Sequence, residues 1–278
     1  MSLGTAFLLP TLTRAQLTPE QAAGLDLGPA TGYAFIDLGQ STLGWNSGPI
    51  DGNVLLGDGV KVNLSGGNNG GLTSGHSVFY DSTANISGHL QNPITQVLVS
   101  NGTTQAVATA AQNVANYASS LSATQSFNNI SGTQTIIGNG GLNVIDAANI
   151  NNSKLTLSGS PNDYFVFNIS GGIHTNQAMT LLGGVNPAHI LFNLTGTGTV
   201  FQTSGGDLSY GIYLAANGGD FQFSNLNLTG ALINLGGNVQ FVSGAKIPTG
   251  VPEPGVFALF LVGGVALAAW RRQRAQTA

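Results

Sequence analysis

From Lys154 to Val242, apolar residues recur two apart in short bursts, each closed by glycine, asparagine or serine. Leu155 and Leu157 form one burst, and Phe165, Phe167 and Ile169 form the next. Met179 and Leu181, then Ile190, Phe192 and Leu194, then Ile212 and Leu214 continue the series. Phe221 and Phe223, Leu226 and Leu228, and Val239 and Phe241 complete it. A spacing of two places each set on one side of a strand, giving every strand an oily side. Gly171-Gly172, Gly183-Gly184, Gly205-Gly206, Gly218-Gly219 and Gly236-Gly237 separate the bursts, where the chain turns freely. Many short strands with no long helix among them predict a sandwich, a barrel or a coiled β-solenoid.

The same alternation begins at Tyr33, through Ala34–Leu38, Gly52–Leu56 and Val60–Leu64, and resumes at Val78–Tyr80 and Ile94–Val99. One helix interrupts it. Between Thr104 and Ala123, Val107, Ala111, Val114, Ala118 and Leu121 recur at three- and four-residue steps, with Gln112, Asn113, Asn116 and Ser119 opposite. An alanine-rich stripe lets such a helix lie close against a sheet. The helix carries no lysine or arginine, which argues against a membrane-surface role. Nearer the start, Thr18-Pro19-Glu20-Gln21 reads as a capping box for a short helix ended by Gly24.

Charge narrows the function. Charged residues are 6% of the 278, against about 25% in an ordinary globular domain. Between Gln16 and Gly250, three lysines (Lys61, Lys154, Lys246) face ten acids, a balance of −7 with no arginine. Such a body cannot neutralise a phosphate backbone, so nucleic acid is not an expected partner. The chain has no cysteine, which removes disulfides, thiolate metal sites and cysteine nucleophiles.

The two ends read as addresses. Leu3–Leu9 followed by Thr13-Arg14-Ala15 resembles the end of a secretory signal, giving residues 1–15 as a residual signal peptide. Residues 16–32 are expected as a short helix and linker, 33–247 as the β domain, and 248–255 as a second linker. An uncharged apolar run ends at Trp270, sixteen residues counted from Gly255 and at the short edge of what spans a bilayer, about 17–25. It predicts a transmembrane helix over 256–270, with 271–278 as a basic cytoplasmic tail. Pro252-Glu253-Pro254, the apolar helix and Arg271, Arg272 and Arg274 follow in an order that resembles the PEP-CTERM sorting tail of Gram-negative bacteria. The resemblance implies recognition by an exosortase, a transient hold in the inner membrane, and delivery to the cell surface or matrix.

The body carries a second resemblance, on Gly140–Asp146, Leu155–Gly159, Asp163–Gly171, Leu182–Val185, Ile190–Asn193, Gly211–Ala215, Gly230–Ile233 and Val242–Lys246. Together these segments resemble choice-of-anchor A domains and the related ice-binding-like adhesion domain. That likeness implies a right-handed parallel β-solenoid, roughly triangular in section, with one long helix alongside. A jelly roll with antiparallel strands is the rival fold.

No catalytic, cofactor or metal residues stand out. His76, His89, His174 and His189 lack paired ligand spacing, and His189 reads as a surface or loop residue. Asp58, Asp81, Asp163, Asp207 and Asp220 mostly sit at turns, where a carboxylate bonds nearby backbone. Thr195, Thr197, Thr199 and Thr203 are the candidate ligand or ice face, because the resemblance implies flat threonine rows as the means of ordering water. Strand-end placement is the other reading, since no repeated Thr-x-Thr ladder is visible. The expected function is a non-catalytic, exported surface or matrix protein binding exopolysaccharide or another extended hydroxyl-rich surface. Ice binding and a ligand-free structural subunit are the alternatives.

Overall fold

The computed structural model describes residues 17–46, 48–63, 71–87, 95–205, 208–242 and 244–249. Every strand pairing among them is parallel, which excludes the jelly roll. The chain winds as a three-faced β-solenoid. Its first face stacks, from one end to the other, 125–127, 142–147, 164–169, 190–194, 212–215, 231–234, 35–37, 54–56, 77–80 and 95–98. On the second face lie 129–131, 149–151, 173–175, 199–204, 220–224, 239–242, 42–45, 61–63 and 85–87. The third face has 132–137, 153–158 and 180–182 in one group, and 208–210, 227–229, 246–249, 49–50 and 71–72 in another.

Sequence order and spatial order differ. The early coils run outward from Phe35–Asp37, and the long helix, Asn101–Ser120, carries the chain back along the first face to the opposite end. Coils from Gln125 onward then return, until 231–234 docks against Phe35–Asp37. The seam between the two stacks therefore lies mid-length.

The interior follows from the alternation. Phe165, Phe167, Ile190, Phe192, Phe201, Phe221, Phe223, Val239 and Phe241 are all fully buried in one core. Phe167 stacks on Phe192, Phe192 on Tyr213 and Tyr213 on Phe201, with ring centroids 4.6, 4.5 and 4.2 Å apart. On the first face the helix buries the outer side as well. Ile36, Leu55, Val166, Leu191, Ile212, Leu214 and Ile233 pack there against Val107, Ala111, Val114 and Ala118. Ile212 and Leu214 thus face the helix while Tyr213 and Ala215 face the core, the reverse of what spacing alone assigns. The helix starts three residues before the expected Thr104, after Ser100 in extended geometry, and stops at Leu121, whose ψ of 139° leaves the helical region.

The capping box forms as the sequence predicts: the Thr18 hydroxyl accepts from the Gln21 N–H, and Gln21 Oε1 accepts from the Thr18 N–H. Leu27 and Ala30, just after, pack under the long helix. Corners are set by glycine. Strands Leu208–Ala215 and Asn227–Asn234 turn from the third face to the first at Gly211 and Gly230, which are in register. A Cβ on Gly230 would fall 1.8 Å from the Gly211 carbonyl oxygen, so no side chain fits between the coils. Among the described residues no helix is long and apolar enough to cross a membrane; the helix expected over 256–270 lies outside them.

Candidate functional site

A solenoid offers its outer faces, and here one is closed. Asn168 donates from Nδ2 to the Ala118 carbonyl at 2.9 Å. Asn193 donates to the Ala115 carbonyl at 3.1 Å and the Ser119 hydroxyl at 2.9 Å. These amides reach the last turns of the helix, whose end is partly negative, and the Ala118 carbonyl also accepts the Leu121 N–H at 3.3 Å. The part of the first face under the helix is covered and pinned.

The third face carries an exposed patch at the Gln125 end. Thr135, Thr156 and Thr180 occupy one in-register row across three adjacent strands. Their side chains point outward, because Ile136, Leu155 and Leu157 point in. Thr133 lies two residues from Thr135, with Lys154 as its partner. Ile137, Ser158 and Leu182 form the neighbouring row, and Ile137 is 69% and Leu182 50% exposed. Hydroxyls and methyls thus repeat about every 4.8 Å across strands and roughly 6.6 Å along them. Sequence spacing hides this row, since its members stand 21 and 24 residues apart; only coil length brings them together.

The second face is an amide face. One outward row runs Ser131, Asn151, His174, Gln202, Gln222, Gln240, Gly44 and Asn63. His174 Nδ1 lies 3.0 Å from Gln202 Oε1, and Asn151 donates to Asn129 Oδ1 at 3.0 Å. Where the two stacks meet, the row is interrupted at Gly44, and a depression of about 420 Å³ opens. Thr42, Asn46, Asn63, Asp220, Gln222, Asn238 and Gln240 contribute to its lining.

The four threonines expected as a face are not brought into one row. Thr203 is 2% exposed and bonds the Ser224 carbonyl. Thr195 is half-buried at a corner and bonds the Ile169 carbonyl. Thr197 is exposed in the following bend, and Thr199 starts the next strand opposite Asp220. Pro252, Glu253, Pro254, Arg271, Arg272 and Arg274 lie outside the described residues.

Titratable groups mostly tie coils together. Burial would raise Asp163, but bonds from the Ser160 N–H and hydroxyl, the Gly140 N–H and Asn143 outweigh it and hold the carboxyl low. Asp81 is likewise low: against burial stand Thr83, the Asp58 N–H and Thr104 on the helix. Asp37 is the exception. Fully buried beside Leu56 and Asn234, it receives the Ser41 hydroxyl at 2.9 Å on Oδ1, while Oδ2 has no partner. Burial pushes its pKa up to about 8. His189, read from sequence as a surface or loop residue, is half-buried in a short 3-10 turn and stacked 3.8 Å over Tyr164. Desolvation lowers its pKa. Among the described residues no group of three or more His, Cys, Asp or Glu could hold a metal.

No protein-family model and no curated protein matches this sequence. Solved structures do match its fold. An ice-binding protein from the Antarctic ascomycete Antarctomyces psychrotrophicus aligns at 17% identity and a TM-score of 0.53, over 81% of this chain and 97% of that one. One from an Arctic yeast aligns at 16% and 0.55, over 83% and 95%. The DUF3494 domain of a Shewanella frigidimarina ice-binding protein aligns at 15% and 0.51, over 82% and 96%. At these identities the likeness shows the fold: a β-solenoid with one long helix beside it.

Proposed function

We propose that this chain is an exported, non-catalytic protein that binds ice through the third-face patch centred on Thr156. The in-register row of Thr135, Thr156 and Thr180 carries the reading. Threonine pairs a hydroxyl that bonds water with a methyl that orders it, and the parallel register repeats both at a regular spacing. Ile137 and Leu182 extend the apolar component, and the scarcity of charge suits a neutral crystalline surface. The fold neighbours, each described as ice-binding, favour ice over exopolysaccharide for this patch. Thr195, Thr197, Thr199 and Thr203 would then serve corners and coil contacts. A right-handed winding, the overwhelming preference for parallel crossovers, completes the architecture.

The test is thermal hysteresis and ice-recrystallisation inhibition by the purified chain and by Thr156→Tyr, whose ring would stand proud of the patch. Activity in the first and its near-complete loss in a folded Thr156→Tyr are expected. An inactive parent chain, or full activity in the variant, would overturn the assignment.

Export rests on the sequence ends. Residues 1–15 act as a signal remnant, and 16–32 lead into the β domain at 33–247. The Pro252-Glu253-Pro254 motif, the apolar run 256–270 and the arginines of 271–278 form a PEP-CTERM-like tail, held in the inner membrane until an exosortase removes it. The body is of the choice-of-anchor A type and ends at the surface or in the matrix. Mass spectrometry of the surface form should find a C-terminus near Pro252–Pro254; an intact Arg271–Arg274 would contradict removal.

A further inference from the structure

The depression at the seam has chemistry of its own, on a different face from the threonine patch. Both stacks build it: Thr42, Gly44, Asn46 and Asn63 from the early coils, and Asp220, Gln222, Asn238 and Gln240 from the late ones. Its opening comes from a missing side chain. Gly44 stands in the row between Gln240 and Asn63, and its backbone does not require glycine. A Cβ there would meet Gln240, Asn46 and the Val239 carbonyl at 3.7–3.8 Å, ordinary contact. The gap therefore belongs to the surface rather than to the fold.

The polar groups beside it are already positioned. Asn238 donates from its N–H to Asp220 Oδ1 at 2.7 Å and from Nδ2 to the same oxygen at 3.3 Å, and accepts the Thr42 N–H on Oδ1 at 3.0 Å. Asp220 Oδ2 takes no hydrogen bond among the described residues and is left to accept one from outside.

Three ligand classes can be compared on this chemistry. An anion would meet Asp220 with no cation in the lining. A hard metal ion would find one carboxylate, too few for a calcium-type cage. A neutral chain dense in hydroxyls fits all of it, donating to Asp220 and exchanging bonds with the amides of Gln222, Gln240 and Asn63. The lining spans four adjacent strands, about 14 Å, enough for several linked units rather than one. We propose that the Gly44 depression is a binding site for a neutral glycan chain lying along the solenoid axis. This site is independent of ice binding, since the two use different faces.

Titration of the full chain with cellohexaose, maltohexaose and mannohexaose, followed by calorimetry, tests it, with hexameric polygalacturonate as the charged control. At least one neutral hexasaccharide should saturate with a Kd of about 1 mM or below. Gly44→Gln, which continues the glutamine row into the gap, should weaken it about tenfold or more at an unchanged unfolding midpoint. Gln240→Ala should weaken it from the opposite side of the gap. Both variants should keep any thermal hysteresis. No binding by any neutral hexamer, preferential binding of the polygalacturonate, or undiminished binding by folded Gly44→Gln would each overturn the site.

Discussion

Replacing Asp37 by asparagine tests whether a neutral carboxyl is built into the solenoid interior. The wild-type group is fully buried, with one bond from Ser41 and one oxygen without a partner. Its pKa is about 8 when folded against 3.8 unfolded. The folded value is the raised one, so unfolding releases a proton anywhere between these two values. Its contribution to stability is therefore full below pH 3.8 and falls as pH rises toward 8, by at most about 1.4 kcal/mol per pH unit. His189 acts in the opposite sense: its pKa is lowered in the fold, so it costs stability only below its ordinary 6.5. Asp51, Asp81 and Asp163, all lowered, are ionised in both states above about pH 5. Among the described groups whose pKa the fold shifts, Asp37 is the one that titrates between pH 6.5 and 8. Allowing for the approach to its folded pKa, the loss there is about 1.5 kcal/mol. Urea unfolding followed by circular dichroism at constant ionic strength should show that decline in the wild type and a flat profile in Asp37→Asn. A flat wild-type profile, or the same decline in both proteins, would refute the reasoning.

Two further substitutions probe the frame. Gly230→Ala should cost about 3 kcal/mol or more, or prevent folding, because its Cβ would collide with the Gly211 carbonyl; a normal urea midpoint would show that the corner can open. Asn193→Ala removes the buried donor to Ala115 and Ser119 and should cost about 1–3 kcal/mol, with faster hydrogen exchange concentrated in residues 115–120. Uniform exchange along the helix would instead mean that the apolar stripe alone holds it.

The core was legible because inward residues are large and their neighbours polar. Phe221-Gln222-Phe223 and Val239-Gln240-Phe241 declare their faces directly. Legibility failed where a strand is buried on both sides. In Ile212-Tyr213-Leu214 the helix claims the aliphatics and the core claims the tyrosine, and no period of two can say which. The surface patch was hidden for another reason. Thr135, Thr156 and Thr180 become neighbours only through coil lengths that differ by turns and a bulge near Ser131, which no local pattern records. Gly44 was equally opaque, since in sequence it resembles any other turn glycine.

The docking of 231–234 onto Phe35–Asp37 also bears on how the protein is born. The latest described strand, Lys246–Thr249, lies in the middle of the stack, between Asn227–Thr229 and Ile50. A nascent chain lacking residues 231–249 holds two partial stacks with facing bare ends, because 231–234, 239–241 and Ile247 make the joins to Phe35–Asp37, Leu43–Trp45 and Ile50. Closure must wait until that coil is released, and contacts this distant in sequence form slowly. The export proposed above would gain from that delay, because the polypeptide stays pliable until the coil that closes the seam has been delivered.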